Sequence, residues 1–225
     1  MDTTPPLAAS PMTEDVLQQI FSSDQDMYPA PLTYARLQSW VTASPQLSQS
    51  FYLLDQPGSK ENRKRDVVAG VLIALPLREA PWQDLLVGKL RETDIDANSM
   101  IAPKDVAGCA VGLHVFHVER LSEHAKGFTR FSIGYADMVA KAIGWNVLGC
   151  SALTATKDGA NTFEKLGFQP TGYEEFWIQK SDEISLVPLY PGHDRSSVLA
   201  EQDKSSIKGQ ARMSVKFAEQ GITNP

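Results

Sequence analysis

The chain has 225 residues, 42% of them hydrophobic and 21% charged, which suits one globular domain of ordinary composition. A net charge of -6 and a pI near 5.2 argue against a nucleic-acid binder, which would carry a basic patch or stripe. No apolar run approaches the roughly 18 residues a membrane span needs, and residues 1–11 lack the basic and apolar stretches of a secretory leader, so neither is expected.

Residues 1–12, rich in Pro, Ala and Thr, read as a loose segment. Thr13 offers a hydroxyl cap, and Glu14 and Asp15 early acids, before Val16, Leu17, Ile20 and Phe21, the pattern of a first helix. Pro29 and Pro31 break the chain, and residues 32–41, with Tyr34, Leu37 and Trp40, read as a second helix. Residues 51–54 form a short strand, 57–65 a polar basic turn and 66–77 a long apolar strand, together a hairpin. Residues 78–105 are too long for a simple connection. Trp82, Leu85, Leu86 and Leu90 recur there at helical spacing, ahead of the acidic Glu92, Asp94 and Asp96. This insertion reads either as a lid that recognises a cationic amine or as a solvated acidic face. The strand at 107–119 is expected to pair back onto 66–77.

A helix follows, with Phe128, Phe131, Tyr135, Met138, Val139, Ala142 and Ile143 in steps of three and four, stopped by Gly144. Residues 145–154 read as a strand, 160–166 as a short helix stopped by Gly167, and 172–179 as a last strand. Trp145 and Trp177 read as core residues and His193 as part of a surface turn. Residues 13–187 thus form the domain, with a core at 66–180, and the polar stretch 188–225 reads as an extension. Cys109 and Cys150 each sit in an apolar run, which fits free thiols in a reducing compartment such as the cytosol. No Cys or His cluster has zinc-ligand spacing, so no metal is expected.

The functional signal is concentrated in residues 112–168. A strand bearing His114, His117 and Glu119 runs into a loop, His124-Ala125-Lys126-Gly127-Phe128-Thr129, that opens directly into a helix. The first N–H groups of a helix have no internal partner and the macrodipole is positive there, so such a loop suits a phosphate. Titratable groups and a phosphate cradle lie within about a dozen residues of each other.

These residues resemble the core of the GNAT superfamily of acyl-CoA N-acyltransferases. That family's pyrophosphate loop is Gln/Arg-x-x-Gly-x-Gly/Ala, and His124, Gly127 and Thr129 occupy its positions, the central glycine alone matching strictly. The family's closing Tyr-Glu-Lys-Leu-Gly-Phe is met by Phe163-Glu164-Lys165-Leu166-Gly167-Phe168, which differs only at the first residue. The resemblance covers residues 66–180, about half the chain. It implies an α/β fold with a mixed, mostly antiparallel central sheet flanked by helices, and acetyl-CoA as cofactor. It also implies cofactor contacts from the strand at His117, Val118 and Glu119, from the loop at His124, Ala125, Lys126, Gly127, Phe128 and Thr129, and from Thr156 and Phe163. Thr156 stands where the family often has Asn.

An alkylammonium, with a pKa of about 10 like that of Lys, must lose a proton before it can attack a thioester. Histidine suits that task. His114 and His117 are three residues apart, so on a regular strand they face opposite sides. The run Leu113-His114-Val115-Phe116-His117-Val118 is similar to the histidine-bearing strand of arylalkylamine N-acetyltransferases, if one extra residue is allowed before the loop. That register favours His114 as base, with His117 or Glu119 as second candidates. Phe163 cannot supply the proton that the family's tyrosine gives the leaving thiolate; Tyr173, Ser151 or Cys150 are possible stand-ins. The expectation is acetyl transfer to a primary amine of a small molecule by direct attack in a ternary complex. The rivals are a protein lysine or N-terminal acetyltransferase and a non-catalytic acyl-CoA-binding domain.

Overall fold

A computed structural model describes residues 6–27, 32–54, 68–180, 183–200 and 204–218. Eight strands make one sheet: β1 (Leu7–Pro11), β2 (Ser48–Leu53), β3 (Val68–Arg78), β4 (Ala110–Arg120), β5 (Asn146–Thr154), β6 (Gln169–Lys180), β7 (Glu183–Leu189) and β8 (Ile207–Phe217), in the order β1-β2-β3-β4-β5-β8-β6-β7. Among the described residues only β4 and β5 pair in parallel; every other neighbour is antiparallel. The helices are α1 (Glu14–Met27), α2 (Tyr34–Ala43), α3 (Glu79–Leu86), α4 (Ala97–Met100), α5 (Phe128–Ile143), α6 (Lys157–Lys165) and α7 (Arg195–Ala200). This is the mixed, mostly antiparallel α/β architecture expected.

The two faces of the sheet carry separate cores. On one, Leu17, Leu37, Trp40 and Trp82 from α1 to α3 pack on Val71, Ile73 and Leu75 of β3. On the other, Phe128, Ala136 and Ala140 of α5 pack on Leu72, Ala74, Leu113 and Val115. This explains why β3 reads as an unbroken apolar run: both of its faces are covered. The helix α5 spans the residues its periodicity indicates, and Gly144, at φ 87°, ends it in the left-handed conformation that glycine adopts without strain.

Three segments differ from the sequence reading. Leu7–Pro11, placed in a loose N-terminal segment, forms β1 and pairs with β2, Pro11 lying at the edge where a missing N–H is tolerated. The stretch 188–225, read as an extension, supplies β8, a central strand between β5 and β6. The insertion 78–105 is not one solvated face: α3 buries Trp82 and Leu85, Ile95 is fully buried, and Ile101 bridges back to Leu77 of β3. The expected polar turn at 57–65 lies outside the described residues.

Trp82 crosses β4 and β5 at Gly112 and Gly149. A Cβ built on Gly112 would stand 1.9 Å from Cδ2 of the indole, and one on Gly149 would stand 3.0 Å from its Cη2. The indole therefore needs both bare positions. Gly112→Ala is expected to destabilise the protein by about 3 kcal/mol, the upper end for overpacking a closed core. Urea unfolding of the variant would show it as a lower midpoint with an unchanged slope.

Candidate active site

The strands β4 and β5 pair from Ala110 opposite Asn146 to Val115 opposite Ala152, and no further rung joins them. Both continue, held from their far sides: β4 on β3 as far as Arg120 opposite Gly70, and β5 on β8 as far as Thr154 opposite Arg212. Beyond Val115 the two strands therefore part. The gap is a cleft of about 300 Å³, lined by residues 115–119 of β4, by 152–154 of β5 with 155–156 just after it, and by Phe163 of α6. Asp24 of α1, Leu32, Glu92 and Thr93 complete its lining.

A β-bulge sits at the parting. His117 lies opposite Ile73 and Val115 opposite Ala74, so Phe116 is an extra residue with no partner of its own. Regular alternation places His114 and His117 on opposite faces. The bulge overturns that expectation. His114 is opposite Leu75, His117 opposite Ile73 and Glu119 opposite Val71, all on the face covered by α1 to α3. Phe116 is on that face too, its ring 5.0 Å from Trp40. Val118, opposite Leu72, packs into the other core.

His114 is fully buried and does not line the cleft. It stands in a chain of hydrogen bonds. Trp82 Nε1–H donates to Ser151 Oγ at 2.9 Å, Ser151 Oγ lies 3.0 Å from His114 Nδ1, and His114 Nε2 lies 2.6 Å from Glu92 Oε1. Glu92 comes from a 3₁₀ turn, Glu92–Asp94, in the insertion, and it does line the cleft. Burial raises its pKa, and His114 opposes that rise. An acidic run in a long connection gave no sign that one of its carboxylates is buried. Asp94, by contrast, pairs with Arg91 at the surface and Asp96 caps α4.

His117 lines the cleft and is more than nine-tenths buried. Its Nδ1 is 3.1 Å from Asp24 Oδ1, and its Nε2 is 3.5 Å from Glu119 Oε2, an ion-pair separation too long and misaligned for a hydrogen bond. Burial disfavours the charged ring, but the two carboxylates outweigh it and raise the pKa to about 9. Glu119 is correspondingly lowered by His117. At neutral pH His117 is thus an imidazolium, with no lone pair to accept a proton.

Val118, Glu119, Thr156 and Phe163 also line the cleft; residues 124–129 do not, but follow the end of β4 after an interval of three residues. Their loop is tied down by Ala125, which is fully buried and donates to Ser122 O, while His124 and Lys126 on either side of it are exposed. Gly127, at φ 75°, takes the left-handed turn into α5. The N–H groups of Thr129 and Arg130, in the first turn of that helix, have no partner among the described residues. Thr156 caps α6 through Gly159 N–H at 3.0 Å, and Phe163 packs edge-on to Phe168. None of the three stand-ins for a proton donor lines the cleft. Ser151 is held between Trp82 and His114. The Cys150 thiol is pushed up to about 12 by burial, and burial and Glu175 raise Tyr173, whose hydroxyl donates to Glu175 at 2.6 Å.

No protein-family model matches the sequence, and no curated protein matches it. Solved structures do. NAA60 of Arabidopsis thaliana in complex with acetyl-CoA superposes with a TM-score of 0.50 at 12% identity, over 94% of this chain and 98% of that one. The same enzyme with a bisubstrate analogue gives 0.50 at 11%, over 95% and 100%. At such identities the likeness is one of fold. That fold is the GNAT fold.

The pairing of His117 with Asp24 and Glu119 has a pH signature. A folded pKa of about 9 against 6.5 for an unperturbed ring means the stabilisation is complete below about pH 6.5 and is lost as pH rises through 9. His117→Gln should therefore cost roughly 3 kcal/mol at pH 6 and much less at pH 9.5. Unfolding of both proteins at the two pH values checks this; an equal cost at both removes the ion pair as the cause.

Proposed function

We propose that the protein transfers an acetyl group from acetyl-CoA to a primary amine of a small molecule, by direct attack within a ternary complex. The observation that carries this reading is the parting of β4 from β5 just before a loop that turns into the N-terminus of α5. The residues fit coenzyme A on two counts. Among the described residues, no strand lies against the edge of β4 from Phe116 onward on the cleft side, so its backbone at His117, Val118 and Glu119 is available to the amides of a pantetheine arm. The unpartnered N–H groups at the start of α5 suit a pyrophosphate, with His124, Ala125, Lys126, Gly127, Phe128 and Thr129 around it. Thr156 and Phe163 line the cleft on the β5 side. The bound thioester would supply the activated acetyl group.

The chain's own residues do the rest. Asp24, Glu92 and Glu119 give the acceptor side of the cleft an excess of carboxylates over the single His117 cation, which favours an ammonium over an anion. Asp24, Leu32, Glu92 and Thr93 line that space, and a cleft of about 300 Å³ in all, part of it assigned to the acyl donor, suits a small amine. His114 and Glu92 form the proton-accepting pair, with Glu119 beside His117. His117, as an imidazolium next to the cleft, is a proton source rather than a base, at the very step where Phe163 offers none.

Thiol release from acetyl-CoA tests the reading directly, using small primary amines, lysine peptides and peptides with free N-termini. Turnover is expected with one or more small amines. Release with peptides only would transfer the activity to a protein substrate. Binding of acetyl-CoA with no release for any amine would leave a non-catalytic binder.

A further inference from the structure

We propose that Glu92 is the group that takes the proton from the attacking amine, and that His114 is its positioning residue. The inference rests on the acetyl-transfer reading and assigns the base within it. The sequence points to the histidine because of its residue type and strand; the geometry points to the glutamate because of access. His114 is fully buried, both of its ring nitrogens are engaged, and it does not line the cleft, whereas Glu92 touches both His114 and the cleft.

The hydrogen-bond chain fixes the proton positions. Trp82 Nε1 can only donate, so Ser151 Oγ accepts from it. The hydroxyl proton of Ser151 then needs an acceptor, and among the described residues His114 Nδ1, at 3.0 Å, is the one its hydrogen bonds offer. His114 Nδ1 therefore accepts, its proton sits on Nε2, and Nε2–H donates to Glu92 Oε1 at 2.6 Å. A neutral ring in this tautomer has no lone pair left for an amine. Glu92 Oε2, in contrast, takes no hydrogen bond among the described residues and has lone pairs to give.

The carboxylate is also held still. Ile95 O, one residue past its 3₁₀ turn, accepts from Trp40 Nε1 at 2.9 Å and from Arg36 at 3.1 Å, and Arg91 pairs with Asp94 within that segment. The titratable groups that face it are His114, His117 and Glu119 of β4, Asp24 of α1 and Glu175 of β6. Burial, together with Asp24 and Glu175, moves its pKa up from the usual carboxylate range, and so toward neutrality. That makes it a better proton acceptor than an exposed glutamate.

In the step itself, the ammonium gives one proton to Glu92, and the freed nitrogen lone pair forms the C–N bond at the thioester carbonyl. The C–S bond then breaks. The amide nitrogen sheds its second proton, the thiolate takes one up, and one proton is released to solvent overall.

The test compares wild type, Glu92→Gln and His114→Gln by kcat against pH for a turned-over amine, by calorimetric acetyl-CoA affinity, and by the NMR state of the His114 ring. Gln at position 92 keeps an oxygen for His114 Nε2–H, so acetyl-CoA affinity should be unchanged and report an intact fold. Its kcat should fall about 100-fold or more, with loss of the acidic limb of the pH profile. His114→Gln should lower kcat less and shift that limb without removing it. In wild type the ring should be the neutral Nε2–H tautomer. Wild-type kcat and pH profile in Glu92→Gln, with the limb abolished in His114→Gln, would make His114 the base and overturn the proposal. Acetyl-CoA binding without thiol release by wild type, for any amine, removes the transferase reading and the proposal with it, and is told apart by the wild-type arm alone.

Discussion

The architecture depends on one constraint, that β4 is paired with β3 along nearly all of its length and with β5 over only half of it. A parallel pair inside a sheet would ordinarily continue, since each unmade rung leaves donors and acceptors facing nothing. Here β5 is claimed on its far side by β8 and β4 by β3, and the bulge at Phe116 bends β4 where the last rung ends. The cleft exists because two strands with secure outer partners are released from one another. The bulge, by adding one residue, also turns His117 and Glu119 to the same side as His114. A single irregularity thus creates the free backbone edge and gathers the ionisable side chains beside it.

Gathering them has a cost that the packing must offset. Buried polar groups are costly unless each finds a partner. The chain Trp82–Ser151–His114–Glu92 meets that demand by running from the core outward, with a donor-only indole at one end and a carboxylate at the cleft at the other. The indole can take its place only because Gly112 and Gly149 leave room for it. Core packing and site chemistry are therefore one structure: the glycines that make room for Trp82 also let its indole N–H reach Ser151, the first link of the chain that ends at Glu92.

Much of this was legible in the residues. The long apolar β3, the periodicity of α5, the left-handed glycine that ends it, and the loop before it all follow from local patterns, because each is dictated by neighbours in sequence. The bulge was not legible: one inserted residue leaves no mark on composition, yet it reverses the faces of everything beyond it. Glu92 was hidden for a related reason. Between Arg91 and Asp94 it looks like any surface acid, and only tertiary contact with His114 separates it from them. The strand β8 did carry a signal. Ala211, Met213 and Val215 are buried and alternate with Arg212, Ser214 and Lys216, a period of two in a stretch whose overall polarity suggested an extension.

The two sides of the cleft are built from different kinds of structure, and that difference bears on how the proposed reaction is divided. The side assigned to coenzyme A consists of the β4 edge, the turn into α5 and the cap of α6, where backbone groups dominate and side-chain identity matters less. On that assignment, the departures at His124, Thr129, Thr156 and Phe163 would be tolerated. The acceptor side consists of side chains, Asp24 from α1 and Glu92 from the connection between β3 and β4. Connections of that kind can change without disturbing the sheet that carries them. Yet here the connection is anchored as firmly as the sheet: Ile95 is fully buried, its carbonyl accepts from Trp40 and Arg36, and Glu92 is bonded to the strand itself. A proton acceptor placed on such a segment can be rigid although its origin is a loop. Choice of amine and proton removal would then be set by the same few residues, independently of how the acyl donor is held.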